Sequence, residues 1–150
     1  MSRNAGISKA VDDARQLLKD HGYICQTTEE DLVRWFEADT PFDENFGLDK
    51  VIGIPLLVVH ELVEIENVKK MGLALTKDVI VKNLEKVDDA HLVATQVELR
   101  IAASVGDIDH IRSRLGNIRM WIEDPSVTPE NKENYRELRD RTLKVLDDLT

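Results

Sequence analysis

The run Leu56-Leu57-Val58-Val59-His60-Glu61-Leu62-Val63-Glu64-Ile65 places ionisable side chains deep inside an apolar stretch. Buried charge is costly unless it is paired, hydrogen bonded or bound to a metal ion. On a helix, His60, Glu64, Asn67 and Met71 recur at intervals of four, three and four and share one face. Imidazole and carboxylate at i and i+4 can close on a single ion, and that pairing suits zinc, iron or manganese. Glu61 points to another side of the helix, among Leu57, Val58, Ile65 and Val68.

A metal reading needs a third ligand from elsewhere. His91 is the candidate, with Glu98 two turns along the same helical face. In a zincin-like arrangement Glu61 is the catalytic base that activates water. In a structural arrangement it pairs with an arginine, such as Arg100 or Arg114. Asp107-x-x-His110 is a further carboxylate–imidazole pair, similar to half of a di-iron bundle motif. His21 closes the first helix, where its charge favours the helix dipole. The competing reading is non-catalytic: His60, Glu61 and Glu64 form a hydrogen-bonded core network inside a helical assembly module. Cys25, beside Ile24, is expected to pack rather than react. Trp35, Phe36 and Trp121 are expected in the core or at an interface. The chain has no glycine-rich phosphate loop, no Cys-x-x-Cys and no Gly-x-Ser-x-Gly.

The elements that must position these groups are helices, because three-and-four periodicity dominates and strand alternation is nearly absent. Ser8 is the expected cap of a first helix that ends at Gly22. Thr27 with Glu30 reads as a capping box for a second helix that stops before Pro41. Residues 41–50, with Phe42 and Phe46, are expected to form a loop or lid. The His60 helix should run from Ile54 or Pro55 to Met71, since Pro favours the first helical position and Gly72 ends the run. Thr76 should cap a short helix carrying Val79, Ile80 and Leu84. Thr128-Pro129-Glu130 starts the last helix, with a stripe of Tyr135, Leu138, Thr142, Leu146 and Leu149.

Between Asp88 and Asp124, apolar residues recur at Val97, Ile101, Val105, Ile108, Ile111, Leu115, Ile118 and Ile122, always three or four apart. The stripe passes Gly106 in phase, which predicts one long central helix over 88–124, about 55 Å at 1.5 Å per residue. Leu92, Leu99, Ala103 and Trp121 lie on its other side, so the helix should be contacted on two faces. The expected fold is an all-α, up-and-down bundle of about six helices in a single domain, 1–150, with a homodimer as the expected assembly.

Charge and length narrow the function classes. The 150-residue chain carries a net charge of −9, which opposes non-specific nucleic-acid binding. Its longest apolar run is far shorter than the roughly 20 residues that span a bilayer. One cysteine, no disulfide and a polar start imply a soluble, cytoplasmic protein.

The Leu56–Ile65 segment resembles the His-Asp segment of the helical HD-domain phosphohydrolases. The resemblance implies a divalent metal and phosphoester hydrolysis. His60 matches the doublet histidine and Glu64 the assisting glutamate, while Glu61 stands where that family has Asp. His21 and Asp107 would fill the outer ligand places. The whole chain also resembles small uncharacterised archaeal helical-bundle proteins, which implies a fold and no activity.

Overall fold

Caps and glycines set the helix ends in a computed structural model that describes residues 2–41 and 47–150. Among these residues there are eight helices and no strand, so the chain is all-α. The helices are α1 (Ser2–Asp20), α2 (Glu29–Glu37), α3 (Leu48–Val51), α4 (Pro55–Lys70), α5 (Val79–Lys82), α6 (Leu84–Val105), α7 (Ile108–Glu123) and α8 (Pro129–Leu149). Helix α1 begins before Ser8, which lies inside it. The capping box of α2 sits one residue later than expected. Thr28 accepts from the Asp31 amide, and Asp31 accepts from the Thr28 amide. Thr27 is instead buried, and its hydroxyl donates to the Leu62 carbonyl at 2.9 Å. Phe42 and Phe46, the aromatics of the expected lid, lie outside the described residues. Pro55 opens α4 at the first helical position, and Thr128 caps α8 by accepting from the Asn131 amide.

The single long helix expected over 88–124 is two helices. Gly106 adopts φ +73°, a left-handed conformation open to glycine at little cost. Its amide donates to the Ala103 carbonyl, and the Asp107 amide donates to Ala102 at 2.9 Å. These paired bonds are a Schellman end, the same device that closes α1 at Gly22 and α4 at Gly72. Asp107 then starts α7 by accepting from the His110 amide. The apolar stripe kept its phase only by coincidence. Val105, at its middle, is 55% exposed, while Val97 and Ile101 are buried on α6 and Ile111, Leu115 and Ile118 on α7.

Helix α4 packs against α1, α2, α3 and α6, and α6 packs against α4, α5, α7 and α8. Apolar residues on both sides of α6, including Leu92, Leu99, Val97 and Ile101, are therefore buried within one chain. The molecule has two halves that meet where α4 lies on α6. Helices α1 and α2 cover α4 on one side, while α7 and α8 cover α6 on the other. No helix of the described residues is long and apolar enough to cross a membrane.

Candidate metal centre

The seam between α4 and α6 is ionised. His60 and Glu64 project from adjacent turns of α4, and the His60 side chain is only 3% exposed. His91 and Glu98, seven residues apart, project from one face of α6. The turn at Gly106 brings α7 against α6, and its His110 and Arg114, four apart, reach the same seam.

His60 sits at the centre. Its Nδ1 donates to Glu98 Oε1 at 2.8 Å and its Nε2 donates to Glu64 Oε2 at 3.0 Å. Glu64 Oε2 also accepts from His91 Nδ1 at 3.1 Å. Glu98 Oε2 accepts from His110 Nε2, and Glu98 Oε1 accepts from Arg114 Nη2 at 3.1 Å. The result is an alternating chain, His110–Glu98–His60–Glu64–His91, that crosses from α7 through both helices of the seam. Arg114 Nε lies 2.9 Å from Glu98 Oε2, but its N–H is not aligned on an acceptor, so that contact is Coulombic rather than a hydrogen bond. Arg114 Nη2 also lies 3.4 Å from His60 Nδ1; both are donors converging on Glu98 Oε1.

Burial opposes a charge on the His60 ring. The two carboxylates it donates to outweigh that penalty and raise its pKa to about 10. Glu64 is likewise opposed by burial, yet hydrogen bonds from His60 and His91 hold its carboxyl down at about 2. Glu98, fully buried, is also lowered, against burial, by His110, His60 and Arg114. The two buried carboxylates thus face the His60 imidazolium and the Arg114 guanidinium, and such pairing is the condition for burying them.

His60, Glu64 and His91 each offer a ligand atom, and these atoms all lie within 4.8 Å of one another. The three residues proposed from the sequence as ligands are thus brought together, and the group could hold a metal ion. A tetrahedral ion with bonds near 2.05 Å separates its ligand atoms by roughly 3.3 Å. The two short contacts to Glu64 would open slightly and the two imidazoles would draw in.

The other sequence candidates go elsewhere. Glu61 follows His60 by about 100° around α4 and is not one of the three. Asp107 caps α7 and is exposed, so only His110 of that pair enters the seam. His21 donates from Nδ1 to the Leu17 carbonyl and contacts Ser104 through Nε2. Arg114 reaches Glu98, and Arg100 donates to the Tyr23 hydroxyl. Cys25 is buried, which raises its thiol pKa, and its Sγ contacts Thr27 and the Leu62 carbonyl. It is a packing residue.

Aromatic rings close the seam on the His91 side. The Trp121 ring lies edge-on to His91 at 4.4 Å, and the Tyr135 ring follows at 6.3 Å. Arg114 stacks over Trp121 at 5.2 Å. Tyr135 donates to Asp88 at 3.1 Å, and Asn131 Nδ2 bridges Asp88 and Asp89. Burial and the neighbouring Asp88 keep the Tyr135 hydroxyl protonated by raising its pKa.

Sequence reasoning missed that Arg114 and His110 converge on Glu98. The signal was present: His110, Arg114, Asn117 and Trp121 repeat the four-three-four spacing of His60, Glu64, Asn67 and Met71. The class of protein defined by this fold and site is an all-α bundle with a buried His-Glu-His group at its central seam. No family model, curated protein or solved structure matches the chain.

Proposed function

We propose that this protein binds one divalent metal ion at the α4–α6 seam, through His60 Nε2, a Glu64 oxygen and His91 Nδ1, and uses it for metal-assisted hydrolysis. The observation that carries the reading is the convergence of these three donor atoms within 4.8 Å. Two imidazoles and one carboxylate are a donor set for zinc, iron or manganese. Three protein ligands leave a position for solvent or substrate. His91 is 25% exposed, the most exposed of the three. Lewis acidity at the ion would lower the pKa of bound water, and Glu61, on the next position of α4 and outside the ligand group, is the residue proposed as base. The expected setting is the cytoplasm, where a lone buried thiol such as Cys25 is stable.

Binding has to displace the proton on His60 Nε2 and move the proton of His91 off Nδ1, because an imidazole nitrogen ligates only without its proton. With the His60 ring raised to about 10, affinity should climb with pH across the neutral range. Calorimetric titration of chelator-stripped protein with Zn2+ tests the reading. One ion per chain, lost in Glu64→Gln and His91→Ala, supports it. Absence of saturable binding in the folded wild type refutes it.

One observation favours a second, non-catalytic reading. Both His60 nitrogens are already bonded to carboxylates. On that reading the network only locks α4, α6 and α7 in register, and the wild type takes up no metal.

A further inference from the structure

The central imidazole has two nitrogens and only one can face the ion. We propose that Glu98 is a positioning residue, whose carboxylate holds the Nδ1 proton of His60 and so presents Nε2 to the metal. The inference rests on the metal reading above.

The geometry assigns Glu98 this place rather than a ligand's. It is fully buried, and its Oε1 accepts from His60 Nδ1 at 2.8 Å on the side of the ring away from Glu64. Its remaining capacity is taken by His110 and Arg114. A guanidinium this close would repel a second cation, so the Glu98 end of the chain is closed to metal. A metal-bound histidine usually donates its other N–H to a carboxylate, which fixes the ring and raises its basicity as a ligand. Here the carboxylate is itself held from two sides by residues of α7. The ligand geometry of α4 is thereby made to depend on the docking of α7. If the carboxylate were absent, the ring could turn and offer either nitrogen.

The test is Zn2+ affinity of the full chain, measured by competition with a chromophoric chelator, in wild type and Glu98→Gln. The expected result is one ion per chain in both, with affinity about 10–100-fold weaker in the variant and helical content unchanged. Equal affinity in a folded Glu98→Gln protein overturns the positioning role while leaving the metal site standing. A wild type that binds no Zn2+ overturns the metal reading and this inference with it. Nitrogen-15 imidazole spectra of the Zn2+-loaded wild type provide a readout that a merely structural role would not move, and they need no variant to fold. His60 metallated at Nε2 and protonated at Nδ1 supports the proposal; metallation at Nδ1 overturns it.

Discussion

The α1–α4 seam and the α4–α6 seam share a helix and are built from opposite materials. Against α4, α1 presents Ile7, Val11, Ala14 and Leu18, each at most 2% exposed. Against the same helix, α6 presents His91 and Glu98, with His110 and Arg114 added from α7. The apolar seam is stabilised by area removed from water, a term that ignores direction and barely depends on pH. The ionised cluster adds stability to its seam only while its buried charges are paired, because His60, Glu64 and Glu98 have lost their water. The apolar seam supplies rigidity, and the ionised seam supplies groups that can bind an ion. One helix serves both because its faces repeat independently at three and four residues.

The sharpest way to break the comparison is to remove one member from each seam. Glu98→Ala leaves Arg114 and His60 facing each other without their shared carboxylate. It should cost about 3–5 kcal/mol in urea unfolding. Leu18→Ala, in the apolar seam, should cost about 2–5 kcal/mol, set by how far the site collapses. That second cost should be the same at about pH 6 and about pH 9. A Glu98→Ala protein as stable as wild type would contradict the account of the ionised seam.

Titration separates the seams next. His60 has a folded-state pKa of about 10, above the ordinary 6.5. Its contribution is complete below about 6.5 and is lost as pH rises through about 10. Glu64 is depressed to about 2 from 4.5, so its contribution is complete above about 4.5 and is lost as pH falls towards 2. Metal-free protein should therefore gain most from this seam between about pH 4.5 and 6.5. Either group can change stability by at most about 1.4 kcal/mol per pH unit. Urea unfolding across pH would show it, and a flat profile from pH 6.5 to 10 would contradict the His60 assignment. The smallest effect is at the turn that delivers α7. Gly106→Ala meets no neighbouring atom but must hold a positive φ, so it should lose about 1 kcal/mol. A rise in melting temperature would contradict the left-handed turn.

Much of this arrangement was legible in the residues. Pro55, Thr128 and Gly72 mark helix ends through local backbone chemistry, and the His60–Glu64 spacing needs only the helical repeat. His91 as partner was legible as a histidine with a carboxylate, Glu98, two turns along its face. The break at Gly106 was not, although Gly22 and Gly72 carry the same signal. The hydrophobic repeat resumed in phase beyond it and masked the turn. That error hid the rest of the site. A straight helix holds Glu98 and Arg114 sixteen residues apart, about 24 Å along its axis, whereas the turn folds them into contact. Tertiary pairing of this kind depends on the turn's direction, which residue spacing alone does not encode.

The central claim is that the ionised seam holds a metal ion, and elemental analysis of native, untagged protein tests it most directly. The account predicts about one equivalent of zinc, iron or manganese per chain in the wild type, falling to background in folded His60→Ala and Glu64→Gln proteins. Sub-stoichiometric metal in the wild type, with the same content in both variants, would contradict it.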